Sequence, residues 1–155
     1  MKAKYIGPDS AQARWANWTH YQPEGISYPY LTLGNNYSIV SIGFRSGNRY
    51  LMDDKSVQIS SLPGAYFLIK DDTEHARWYH AVFFQIEGNS IPKTWEILTP
   101  DLSKLSPEFE DWILILGYRE VVRDSGYLDR LLDGDSLRDI EIFNELIQRS
   151  EVEET

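Results

Sequence analysis

Residues 2–6, KAKYI, alternate polar and apolar positions and stop at Gly7-Pro8, a pattern that predicts a short opening strand and a turn. Residues 9–29 keep neither a period of 2.0 nor one of 3.6. They predict a long inserted loop carrying Trp15, Trp18, His20, Tyr21 and Tyr28 among Pro23, Gly25 and Pro29. These aromatics are candidates for a binding surface or for a flap folded over the core, and Trp15, Trp18 and Tyr28 are the anchors a partner would meet. From residue 30 onward the chain becomes a run of segments rich in β-branched and aromatic residues: 30–33, 37–44, 49–52, 57–60, 65–70 and 79–86. Turn chemistry separates them at Gly34-Asn35-Asn36, Ser46-Gly47-Asn48, Asp53-Asp54-Lys55, Pro63-Gly64 and Asp71-Asp72-Thr73. With no helix between strands, this is an antiparallel meander: a small barrel or a strongly bent sheet.

Residues 91–100, around Trp95, predict one more edge strand. The period then changes. Ser106-Pro107 places a capping hydroxyl and a first-turn proline before EFEDWILIL, which predicts a helix ending near Gly117. A second short helix is expected over 118–123 and a third over 127–132. A final helix, capped by Asp135 or Ser136, should run to about Arg149, with Leu137, Ile140, Phe143, Leu146 and Ile147 on one apolar stripe. Residues 150–155 read as a frayed acidic tail. The fold class is thus α+β, with residues 1–100 barrel-like, the aromatic loop 9–29 inserted in them, and residues 101–155 an acidic helical part packed on the sheet as one compact domain.

A length of 155 residues suffices for a core without staples, and the 42% hydrophobic, 25% charged composition is that of a folding chain. The absence of cysteine excludes disulfide frameworks, thiolate metal sites and cysteine nucleophiles, and suits a reducing, cytoplasmic compartment. No stretch has the apolar length of a signal peptide core or a membrane span, so no membrane association is expected. Net charge is −9. Residues 1–100 hold nine basic and nine acidic side chains, so the whole excess lies in residues 101–155. That balance disfavours direct nucleic-acid binding, which needs clustered Lys and Arg, and favours a basic protein partner.

Catalytic signatures are missing. There is no phosphate-binding glycine loop and no nucleophile elbow. His75 and His80 are five apart, which places them on opposite faces of a strand and spoils a shared metal site; His80 reads as a strand residue with a satisfied hydrogen bond. Glu74-His75 lacks the second histidine of a zinc-protease helix. Asp53-Asp54 and Asp71-Asp72 read as solvated hairpin tips. Asp133-Gly134-Asp135 lacks the later ligands of a calcium loop and reads as a turn and cap. No catalytic residue, metal or cofactor is therefore expected.

Taken in order, KAKYIG, LTLGNNYSIVSI, RYLMDD and YHAVFFQIEGNSIP resemble small bacterial and phage β-barrel proteins of the Src-homology-3-like type. Those proteins share an opening K-Y-I-G strand, an L-T-x-G-x-x-Y turn, a tyrosine-rich strand ending in D-D and a closing strand ending on a buried Phe. The resemblance runs through residue 90 or so, interrupted by the 9–29 insertion and a hairpin at 57–69. It implies a small barrel and a binding role rather than catalysis.

The leading expectation is a non-catalytic binder that neutralises a basic protein, such as an immunity protein for a toxin or nuclease, or a phage-type inhibitor of a host nucleic-acid enzyme. Its contact residues would be Glu108, Glu110, Asp111, Asp133, Asp135, Asp139 and Glu141. The alternative is a small-molecule or nucleotide-binding module, in which the barrel mouth and aromatic loop form a stacking pocket with charge from Arg45 or Arg49.

Overall fold

The computed structural model describes residues 1–10, 30–51, 57–61, 63–88, 90–99, 111–124, 126–134 and 136–153. The side chains of 48–51 and 57–61 are not described. Trp15, Trp18, His20, Tyr28, Asp53, Asp54, Glu108, Glu110 and Asp135 lie outside the described residues, as does nearly all of the 9–29 loop.

Nine strands precede three helices among the described residues: β1 Lys2–Tyr5, β2 Asn36–Arg45, β3 Asn48–Leu51, β4 Val57–Ser61, β5 Gly64–Lys70, β6 Ala76–His80, β7 Phe84–Glu87, β8 Trp95–Leu98 and β9 Trp112–Tyr118, then α1 Arg119–Val122, α2 Tyr127–Asp133 and α3 Leu137–Val152. Strands β3 and β4 form a separate hairpin; the other seven make one antiparallel sheet that does not close into a barrel.

Strand β2 is the spine. One edge pairs with β5 from Ile39 to Arg45. Its other edge pairs first with β1, at Asn36 to Ser38, and then with β9, at Ser41 to Arg45. A register shift between Ile39 and Ser41 bends the strand where the partner changes. Beyond β1 lies β7, and beyond β9 lies β8.

The bent sheet is buried on both faces. On β5, Phe67 and Ile69 point into one core with Ala3, Tyr37, Ile39 and Phe84, while Tyr66 and Leu68 point into the other with Val40, Trp112, Ile115 and the helices. Helix α3 brings Phe143 and Leu146 into this second core, 2% and 1% exposed. Each such side chain contributes about 1.5–3 kcal/mol by leaving water. Ser136 caps α3 by accepting a hydrogen bond from the Asp139 amide at 3.3 Å. None of the described helices is long and apolar enough to cross a membrane.

The structure corrects several expectations. Residues 112–118 are a strand, not the end of a helix. Gly43 on β2 explains the docking: a Cβ there would meet the Trp112 ring at 1.7 Å, so only glycine leaves room for that indole. Residues 30–33 form a turn, because the Thr32 amide donates to the Tyr37 hydroxyl at 2.7 Å instead of to a neighbouring strand. The expected strand over 79–86 is broken by a turn of 3₁₀ helix, Ala81–Phe83, that lets consecutive Phe83 and Phe84 both be buried. Helix α3 outruns Arg149, burying Ser150, whose hydroxyl donates to the Ile147 carbonyl. Leu137, expected on the inward stripe, is 77% exposed.

Candidate functional site

The acidic C-terminal part divides into carboxylates that the fold consumes and carboxylates that it leaves in water. Asp111 belongs to the first group. Its side chain is 1% exposed and receives both Nε and Nη2 of Arg45, at 2.9 and 2.7 Å. That guanidinium also lies over the rings of Tyr66 and Trp112. Asp139 is likewise buried and receives Arg130 Nε at 2.8 Å, while Arg130 Nη2 reaches Asp124 at 2.7 Å. Hydrogen bonds from Arg130 and Ser136 hold the Asp139 carboxyl below the usual carboxylate range, and Arg130 does the same for Asp124. Glu96 takes a two-pronged contact from Arg123, Glu120 takes Arg149, and Glu153 accepts from the Tyr118 hydroxyl.

Of the sequence-predicted contact residues that are described, Asp111 and Asp139 thus sit in separate internal clasps and have no face to offer a partner. Asp133 and Glu141 are exposed and form no ion pair among the described residues. On α3, Glu145 and Glu151 share that state among the described residues. Glu141 and Glu145 are one helical turn apart on α3, an arrangement of like charges that costs about 0.2–0.5 kcal/mol. Arg149, at the spacing that would neutralise Glu145, turns instead to Glu120 at 3.1 Å and lies over the Tyr118 ring. The unpaired stack of glutamates was legible as a spacing in the sequence. The diversion of Arg149 was not.

The turn between β5 and β6 sits beside this helix. Asp71, expected to be a solvated hairpin tip, is 3% exposed. Its Oδ1 accepts from the Thr73 amide and hydroxyl at 2.9 and 2.6 Å and from the His75 amide, and its Oδ2 accepts from Arg77 and from the Tyr79 hydroxyl. Burial pulls this carboxyl upward, but so many donors outweigh it and hold it low. Burial next to that carboxylate pushes the Tyr79 phenol well above its ordinary value. Asp72, the other half of the pair, accepts from Thr32 and Tyr37. The turn is therefore clamped from both sides, with Glu74 at φ 65° completing it.

Between the clamped turn and helices α2 and α3 lies a cleft of about 360 Å³. Leu131, Leu132, Ile140 and Phe143 supply apolar lining, and Glu74, His75 and Asp133 supply polar lining. Sequence reasoning missed the cleft, because its walls come from segments some sixty residues apart in the chain.

His80 has no room for a reaction. Val82 N–H donates to its Nδ1 at 3.1 Å, which leaves Nε2–H to donate to the Pro63 carbonyl at 3.0 Å. Burial keeps the ring neutral by lowering its pKa, against the pull of that carbonyl. No group of three or more His, Cys, Asp or Glu side chains among the described residues is placed to hold a metal. Arg45, one of the two charges suggested for a nucleotide pocket, is engaged by Asp111. Comparison with protein-family models, with curated proteins and with solved structures finds no match for this chain.

Proposed function

We propose that this chain is a cytoplasmic, non-catalytic binding protein that neutralises a basic protein partner, in the manner of an immunity protein for a toxin or a phage-type inhibitor of a host enzyme acting on nucleic acid. The observation that carries the reading is the set Asp133, Glu141, Glu145 and Glu151, exposed with no ion pair among the described residues, while Glu120, Asp124 and Asp139 nearby are tied to arginines. A fold that retains a repulsive glutamate stack while sending Arg149 to Glu120 and the Tyr118 ring leaves like charges unneutralised at its surface, which fits a surface kept for something outside the molecule. Carboxylates at that surface would steer a cationic partner and fix its orientation.

The contact surface proposed here differs from the expected one by two residues. Asp111 and Asp139 act in folding, and Glu145 and Glu151 take their place in binding. The experiment is affinity capture from the native cell or its prey at low salt, followed by purification of any basic protein released at high salt and measurement of its affinity for wild type and for the Glu141→Lys/Glu145→Lys double variant. Salt-sensitive binding weakened about tenfold by charge reversal, or about 1.4 kcal/mol, is the expected result. Binding indifferent to both salt and reversal would overturn the reading.

A further inference from the structure

We infer that the cleft between the β5–β6 turn and helices α2 and α3 is an anchor pocket for a single lysine or arginine side chain of the basic partner. The inference rests on the proposed function and adds the place and chemistry of its central contact.

The pocket has the two parts such a side chain requires. Leu131, Leu132, Ile140 and Phe143 offer apolar surface for the methylene stem. The polar groups at the same cleft are mostly acceptors. Asp133 is exposed with no ion pair among the described residues, and Glu74 contributes a carboxylate already ion-paired with Lys70 from outside the lining. Helix α2 ends here too, its terminus turned by Gly134 at φ 72°, so that last-turn carbonyls add negative potential.

His75 sharpens the assignment. Its Nδ1 lies 2.7 Å from the Thr73 carbonyl, an atom that can only accept, so Nδ1 carries the hydrogen. In the neutral ring the remaining nitrogen, Nε2, is therefore a lone-pair acceptor on a residue that lines the cleft. Arg77, the one arginine or lysine in the lining among the described residues, is spent: its guanidinium is bonded to Asp71 and Thr73 and lies over the Tyr30 ring at 4.3 Å. An anion would meet two carboxylates and a lone pair, while an ammonium or guanidinium finds acceptors on several sides. The volume of about 360 Å³ is at the small end of ligand sites, enough for one long side chain and too little for a folded segment.

The clamp under Asp71 gives the pocket a rigid wall. With the turn fixed by Thr73, Arg77 and Tyr79, little ordering is left to occur on binding, which favours a hot-spot contact.

The test uses the intact chain with n-butylguanidinium and n-butylammonium as probes and n-butanol and butyrate as controls. The readout is NMR of the His75 ring and of the amides of Leu131 and Gly134. Saturable shifts with the two cations at millimolar levels, smaller by threefold or more in Asp133→Asn/Glu74→Gln, are the expected result. Equal shifts from butanol or butyrate, or no saturable shift from either cation, would overturn the pocket. Because both substitutions are isosteric and at exposed positions, folding is retained, and amide spectra verify it. Failure here leaves salt-sensitive partner binding through Glu141 and Glu145 intact. Failure of the proposed function removes that binding whatever the butylguanidinium result.

Discussion

Asp71 and Glu145 are both carboxylates beside an arginine, and the fold treats them in opposite ways. Asp71 is taken out of water and surrounded by Arg77, Tyr79, Thr73 and the His75 amide. Glu145 keeps its water while Arg149 leans away from it. The same contrast separates Asp111 and Asp139 from Glu141 and Glu151. Acidity in this chain is thus two materials: one used as internal clasps that hold strands and helix starts, the other held on the surface of α3 and at the cleft beside it. Net charge alone conflates them.

The contrast breaks most visibly at Asp71. Replacing it with Ala leaves the Tyr79 hydroxyl and Thr73 without their shared acceptor and frees a half-buried Arg77, at a cost of about 3 kcal/mol or more, read as a drop in the urea midpoint. Asp139→Asn should cost about 1–2 kcal/mol by weakening the Arg130 contact and the first turn of α3. Its Arg130 partner is largely hydrated, so the smaller figure is the expected one.

A pH series tests the clasps together. Asp71, Asp124 and Asp139 have depressed values when folded, so the unfolded chain binds more protons below about pH 3.9 and their stability is lost as pH falls through that region. His80 is also depressed, and the unfolded chain takes up its proton below about pH 6.5, so an earlier, shallower decline should precede the acidic one. A urea midpoint that stays level down to the carboxylate range would deny His80 its buried, neutral state. At the surface, by contrast, Glu145→Gln should leave stability unchanged or raise it by about 0.2–0.5 kcal/mol through relief of the Glu141 repulsion, measured by the same unfolding series.

How much of this the sequence discloses depends on how local the cause is. Helix α3 announces itself through Ser136 and the spacing of Ile140, Phe143, Leu146 and Ile147, all within one segment. The α+β class, the opening strand and most of the meander are equally local. Strand β9 is not, because an apolar run such as WILILGY fits a buried helix or a buried strand, and Ser106-Pro107 supplies a capping signal ahead of it. What decides is the free edge of β2 beyond the Val40 bend and the space Gly43 leaves for Trp112, neither visible near residue 112. Asp71 eluded the sequence for a related reason. Its partners Arg77 and Tyr79 lie six and eight positions away and meet it only after the β5–β6 hairpin has formed.

The central claim is that the unclasped carboxylates exist to meet a basic protein. The most direct measurement is the dissociation constant of a captured, purified basic partner for wild type and for Glu141→Lys/Glu145→Lys, at low and high salt. Affinity lost about tenfold on reversal, with the salt dependence flattened in the variant, is what this division of carboxylates predicts. A partner bound equally by both proteins at both salt concentrations would contradict it.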